Sequence, residues 1–301
     1  MTHVETLLAA LADAPGDELA WLALADALEE AGEPLRAELL RCTRTMMSLK
    51  RRARGRRAAE DRAQRLLRDG VRPCWPQITN SVGMPFALVP PGAWVVGSPA
   101  AEADRLDHEP LKEAVIDRPL WFGVFPVTQR QHEALMGADP SAYDGPGALD
   151  CPADSMTWPQ ARGFCRKLGR LPEEKKAGRR YRLPDEDEWE AACRAGTSTP
   201  WCFGKALTPA LACYDEQPDR HPCPVGRYPP NPWGLHDMHG NVWEKCVCVP
   251  RPDEDDDLAE ALRGGSFRDP TDGCRSAFRT HTGFVRTTDD DVGFRVVMER
   301  G

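Results

Sequence analysis

Near residue 80 the chain changes texture, and that change limits what it can fold into. Before it, apolar residues recur at helical spacing. After it, proline, glycine and tryptophan become frequent, apolar runs shorten, and helices are brief insertions between strand-like runs. A doubly wound sheet needs strands and helices in steady alternation, which this pattern lacks. The expected class is α+β: a small all-α N-terminal domain, then a larger domain with little regular secondary structure.

The N-terminal helices read directly. Val4, Leu7, Leu8 and Leu11 keep helical spacing until Asp13-Ala-Pro-Gly16 breaks it. Leu19, Leu22, Leu24, Ala25 and Leu28 resume it, Gly32-Glu-Pro34 interrupts, and Leu35 to Leu40 predict a third short helix. The division that follows is a helical adaptor over 1–46, a basic helical linker over 47–79 and a large domain over 80–301. The linker's charge is concentrated. Residues 50–72 carry ten basic side chains (Lys50, Arg51, Arg52, Arg54, Arg56, Arg57, Arg62, Arg65, Arg68, Arg72) against Glu60, Asp61 and Asp69, whereas the whole chain is at −8. Two readings stand: a solvated helical connector, or a contact for an acidic partner. No aromatics interleave with these arginines, which argues against nucleic acid.

Beyond residue 80, Phe86-Ala-Leu-Val89 and Trp94-Val-Val96 predict strands around the Pro90-Pro-Gly92 turn, and Leu120 to Val127 a third. Three helices are marked by capping boxes, in which a side chain and the residue three further on satisfy each other's free backbone donors: Thr128 with Gln131, Thr157 with Gln160, Asp185 with Glu188. The last is expected to stop at Gly196.

A hydrophobic content of 41% supports a real core, and no apolar run approaches the roughly 18 residues of a membrane span. The start Met1-Thr-His-Val-Glu5 has no basic region or cleavage site of a secretory signal, so a cytoplasmic location is expected. Eleven irregularly spaced cysteines do not make a disulfide framework and read as reduced thiols.

Six phrases then occur in order: Gly83-Met-Pro-Phe…Val95-Val-Gly-Ser98; Phe125-Pro-Val-Thr128; Met156-Thr-Trp158…Phe164-Cys165; Tyr181-Arg-Leu-Pro-Asp-Glu-Asp-Glu-Trp189 through Gly196; Gly234-Leu-His-Asp-Met-His-Gly-Asn-Val-Trp-Glu244; and Arg263-Gly-Gly-Ser-Phe267…Arg275…Arg279…Gly293-Phe-Arg-Val-Val297. Together they closely resemble the formylglycine-generating (sulfatase-modifying factor) family over residues 80–298, which implies a C-type-lectin-like fold. Glu18 to Arg41 resembles a short helical module found at the front of large bacterial multidomain proteins, with no chemistry attached.

The resemblance sets the tests for chemistry. The family's enzymes hold Cu(I) between two cysteines, three and eight positions after the serine of Gly-Gly-Ser, because a soft monovalent ion wants paired thiolates. Here position three after Ser266 is Asp269, a hard oxygen donor. Position eight is Cys274, which the Arg275-Ser-Ala-Phe-Arg279 frame sets beside the catalytic position. A second branch uses non-haem iron on three histidines from a helical bundle, but the N-terminal helices supply only His3. His236 and His239 read as a structural pair. Family members carry calcium near the Gly-Asn-x-Trp-Glu turn, so Gly240, Asn241 and Glu244 are its expected holders. Cys246 and Cys248 lack a second pair for zinc, and Ser266 has no histidine at triad spacing. The acidic runs Asp253 to Asp257 and Asp289 to Asp291 read as solvated loops.

Two functions remain. In the first the protein is a non-catalytic module binding a protein or small ligand, with no required cofactor. Variable proteins of diversity-generating retroelements share this fold, and residues 263–295 are similar to theirs. Gly264, Gly265, Ser266, Arg275, Ala277, Arg279, Gly293, Phe294 and Arg295 are then struts. Arg268, Asp269, Asp272, Phe278, Thr280, His281, Thr282 and Phe284 are exposed contacts. In the second, Cys274 serves a metal-dependent thiol-oxidising enzyme. Under either, Arg275, Arg279 and Arg295 need carboxylate or carbonyl partners, since a buried unpaired charge is prohibitive.

Overall fold

The computed structural model describes residues 1–51, 53–216, 220–249, 260–281 and 289–301, with side chains except that of His281. Arg52, Thr282, Phe284 and the run Asp253 to Asp257 lie outside the described residues. Four helices open the chain: α1 (His3–Asp13), α2 (Glu18–Glu30), α3 (Pro34–Ser48) and α4 (Arg56–Arg68). Thr2 and Glu5 form a capping box at the start of α1, and the Asp17 side chain caps α2 by accepting from Ala20 N.

The helices share a core with the rest of the molecule. Leu11, Trp21, Leu24, Leu28 and Leu40 lie in one buried cluster with Phe86, Trp121 and Trp233. A run of indoles crosses the boundary: Trp21 lies 4.7 Å from Trp75, Trp75 stacks 6.0 Å from Trp233, and Trp94 meets Trp233 edge-on at 4.9 Å. Such pairs add about 0.5–1.5 kcal/mol beyond the area they bury.

The third helix runs eight residues past Leu40 because its end is packed rather than solvated. Met46 on α3 and Ala63, Leu66 and Leu67 on α4 bury against Trp201 and Phe203. This corrects the picture of residues 47–79 as a solvated connector. Arg56 is buried and donates to Glu60, Met46 O and Gly196 O, and Arg62 pairs with Glu38 through Nε and Nη2. Arg68 donates to Phe203 O, and Gln64 to Thr199. Intramolecular partners, not an external acid, hold these groups. Lys50, Arg54, Arg57 and Arg65 stay exposed.

The larger domain continues through β1 (Gln77–Thr79), β2 (Pro85–Val89), β3 (Gly92–Val96), β4 (Lys112–Ile116), β5 (Leu120–Gly123), α5 (Gln129–Met136), α6 (Trp158–Leu168), α7 (Pro172–Lys176), β6 (Arg179–Arg182) and α8 (Glu186–Arg194). It closes with β7 (Trp243–Val247), β8 (Glu260–Arg263), β9 (Arg279–His281), β10 (Val292–Gly293) and β11 (Val297–Arg300). One sheet has the order β1-β2-β5-β11-β6 and a second β10-β7-β8-β9, while β3 and β4 pair as a hairpin. Strands and helices are mixed without alternating units, which is α+β.

The three capping boxes at Thr128, Thr157 and Asp185 are formed, each with reciprocal side-chain and backbone bonds. The expected strand over 120–127 stops at Gly123. Pro126 has no N–H to extend a ladder, and Val124 N and Val127 N bond instead to Pro85 O and Phe294 O.

Candidate functional site

The segment from Arg263 to Arg295 is shaped first by its glycines. Gly264 and Gly265 take φ of +96° and +72°, and a Cβ on Gly265 would sit 2.7 Å from Cys274 Sγ and 2.9 Å from Gly273 O. The backbone passes directly over the cysteine, which only a residue without Cβ permits. Gly293 has the same constraint, its Cβ position falling 2.6 Å from Ala153 O.

Four buried arginines then wire the segment to distant carboxylates. Arg263 donates to Glu190 at 2.8 Å and to the carbonyls of Ala277 and Phe278. Arg275 reaches Glu109 and Glu102 at 2.9–3.0 Å, together with Asp104 O. Arg279 pairs with Glu186 at 3.1 Å and donates to His108 O. Arg295 donates to both oxygens of Glu244, to Gly123 O and to His236 O. Each charge is desolvated and compensated, so these residues hold shape. Phe294 is fully buried and meets Phe164 edge-on at 5.3 Å.

Ser266 is the hub of the turn. Its hydroxyl faces Asp269 Oδ2 at 2.5 Å and Asp291 Oδ2 at 2.8 Å. A hydroxyl has one proton to give. It therefore serves one carboxylate at a time, and burial pushes both Asp269 and Asp291 upward. Asp269 also accepts from Ser266 N, so its side chain turns inward, which corrects its expected role as an exposed contact. Arg268 is exposed and pairs with Asp290 while lying 5.0 Å over the Phe267 ring. Asp272, Phe278 and Thr280 are half-buried, Phe278 resting 5.8 Å from Trp243. His281 is described by its backbone in β9.

Cys274 is fully buried among Leu39, Trp201, Phe203 and Tyr214, and burial pushes its thiol well above the ordinary range. With a sealed, protonated sulfur at one position and the inward-turned Asp269 at the other, the donor set does not fit thiolate-held Cu(I). Among the described residues no group of three or more His, Cys, Asp or Glu is placed to hold a metal. Two of the residues expected to hold calcium have partners within the chain. Glu244 spends both oxygens on Arg295 and one also on Trp189 Nε1, and Asn241 spends its amide on the backbone of Cys223. A Cβ on Gly240 would meet Cys213 O at 2.1 Å.

His236 and His239 each place Nδ1 on a backbone carbonyl, Tyr228 O at 2.8 Å and Cys274 O at 2.9 Å. His239 Nε2 accepts from Cys202 N, which leaves Nδ1 as the protonated nitrogen. Burial depresses both rings to about 4, so they are neutral.

Two features have no marker in the sequence. A cavity of about 500 Å³ opens between the α3–α4 turn and the β3–β4 hairpin, lined by Met46, Leu49, Arg51, Trp94, Val95 and Arg194 among others, and by no described residue of 263–295. Cys213 and Cys223 bring their sulfurs to 2.8 Å. Their ten-residue spacing matches no thiol motif, and only the fold brings them together.

Comparison with known proteins gives the frame its name. The sulfatase-modifying factor enzyme 1-like domain matches residues 79–300. The chain belongs to that family. Its sulfatase-modifying-factor domain is 32% identical over 180 residues to the mouse protein named inactive C-alpha-formylglycine-generating enzyme 2, covering 52% of this chain and 54% of that one. It is 27% identical over 252 residues to the formylglycine-generating enzyme of Mycobacterium tuberculosis, covering 72% and 75%. The chain spans about half the length of the mammalian inactive relatives it matches. Among solved structures, Treponema denticola variable protein 1 superposes with a TM-score of 0.60 at 22% identity, over 73% of this chain and 98% of that one. PvdO from Pseudomonas aeruginosa gives 0.62 at 26%, over 74% and 97%. The fold is thus the C-type-lectin-like type of this family, whose members carry both active and inactive names. Among the described residues no helix is long and apolar enough to cross a membrane.

Proposed function

We propose that this sulfatase-modifying-factor domain is a non-catalytic module that binds a protein or small ligand through the face built on residues 263–295. One observation carries the reading. Where the family's thiol pair is expected, Asp269 is bonded to Ser266 and Cys274 is sealed beneath Gly265. Copper chemistry needs two soft, open donors there. The buried arginines make a rigid frame, and the exposed Arg268 with the half-buried Asp272, Phe278 and Thr280 are its replaceable contacts. A face whose shape is held by buried ion pairs tolerates exchange of its exposed residues, as a binding surface requires. The exposed Lys50, Arg54, Arg57 and Arg65 offer a separate contact for an acidic partner.

The test is a Cu(I) titration followed by incubation with a cysteine-containing peptide and oxygen. The expected result is no peptide aldehyde. Turnover abolished by Cys274→Ser would replace this reading with the thiol-oxidising one, which the M. tuberculosis relative keeps in view. The retroelement form of the proposal is tested by deep sequencing the locus. It requires substitutions concentrated at adenine-bearing codons between residues 268 and 290, beside a reverse transcriptase gene and a template copy.

A further inference from the structure

Cys213 and Cys223 stand apart from the other buried cysteines. Their sulfurs are 2.8 Å apart, closer than two sulfurs in ordinary contact, and a disulfide needs about 2.05 Å. Cys223 Sγ also faces Arg227 Nη1 and the Tyr228 hydroxyl, each at 3.7 Å. Cys151, Cys165, Cys193 and Cys274 have their thiols pushed up by burial. Cys223 is held below the ordinary thiol range, first by the hydrogen bond from Cys213, then by Tyr228 and Arg227, while Cys213 is held above it by the same contact. One sulfur is set up as the thiolate and its neighbour as the proton-bearing partner, the division of roles in reactive thiol pairs.

We propose that Cys213 and Cys223 form a redox dithiol that hydrogen peroxide converts to a disulfide, joining two positions whose neighbours are hydrogen-bonded to the turn that carries Phe267 and Asp269. The Cys223 thiolate attacks one peroxide oxygen. The O–O bond breaks, hydroxide leaves, and Cys223 becomes a sulfenic acid. Cys213 gives its proton to form water, and its sulfur displaces the sulfenic oxygen as a second water after proton uptake. Two thiols and one peroxide thus give one disulfide and two waters, with two electrons passing from sulfur to oxygen. Both cysteines are 1–3% exposed, which favours a small oxidant such as peroxide over a bulky disulfide.

The loop is already coupled to the binding face. Asn241 N donates to Cys213 O, the Asn241 amide brackets Cys223, Phe267 N donates to Asn241 O, and Asp215 N donates to Asp269 O. Oxidation would freeze that arrangement, whatever the face binds.

The sequence makes the test clean. Trypsin cutting after Lys205, Arg220 and Arg227 yields Ala206–Arg220 and His221–Arg227, each with one cysteine. After peroxide treatment of the full chain, a non-reducing digest should show these two peptides joined, with the mass lower by two hydrogens and the link lost in dithiothreitol. Cys213→Ser should leave Cys223 as a sulfenic acid trapped by dimedone, and Cys223→Ser should abolish both products. The proposal is overturned if the wild-type peptides stay unlinked while other cysteines oxidise, or if Cys223 is linked to Cys151 instead. The wild-type map needs no variant to fold.

Discussion

Replacing Arg295 by methionine isolates what the buried ion pairs contribute. Methionine keeps most of the aliphatic volume and removes the guanidinium. Glu244, 1% exposed, then loses the donors to both its oxygens and keeps Trp189 Nε1 at 2.7 Å, while Gly123 O and His236 O each lose one donor. Stranding one member of a buried pair costs about 3–5 kcal/mol. The two carbonyls bring the expected loss to about 5 kcal/mol, at roughly 1 kcal/mol or less each. That is a large part of the 5–15 kcal/mol typical of a folded chain. At about 2 °C per kcal/mol for a protein of this size, the melting temperature should fall by about 10 °C. Adding Glu244→Gln to Arg295→Met removes the stranded charge, so the double variant should be more stable than Arg295→Met alone, in urea unfolding as in a thermal scan. A single variant within about 1 kcal/mol of wild type would refute the assignment of this pair as a strut. A double variant no better than the single one would refute the stranded charge as the cause.

Four further outcomes follow from the same geometry. Gly265→Ala should cost about 2–4 kcal/mol in urea unfolding, from the left-handed backbone and the 2.7 Å approach to Cys274 Sγ. Gly137→Ala, also left-handed but with open space around it, should cost about 1–2 kcal/mol. Acid should weaken the fold through His239, whose folded value of about 4 lies below its unfolded one. That contribution is complete above the unfolded value near 6.5 and is lost as pH falls toward 4. By pH 4.5 wild type should therefore lose about 2–3 kcal/mol that His239→Gln does not, measured as the change in their stability difference from pH 7.5. Trp75→Ala removes the middle indole and its bond to Leu88 O, at about 3–5 kcal/mol. Limited proteolysis should then release residues 1–48 before the large domain is cut.

What could be read from the chain alone, and what could not, divides by distance along it. The three capping boxes were legible because each is a contract between residues three apart, and no distant residue can cancel it. The strands β2 and β3 on either side of Pro90-Pro91 and the need of Arg275, Arg279 and Arg295 for partners were legible for the same local reasons. Which partners they took was not. Glu109 lies 166 residues from Arg275 and Glu186 93 from Arg279, and many acids could have served. Residues 47–79 look like a solvated linker because charge is all that composition registers there. That Leu66 and Leu67 seat on Trp201 and Phe203 is a property of a surface assembled from far along the chain. The partners of Glu244 and Asn241 were hidden likewise, since an acid and an amide on a tight turn look open until Arg295 and the Cys223 backbone arrive. Sequence alone determined the family frame and the absence of a second thiol at the expected spacing. Only the tertiary structure decided that Cys274 is sealed and that Cys213 and Cys223 meet, because burial and contact between sulfurs are relations among distant residues.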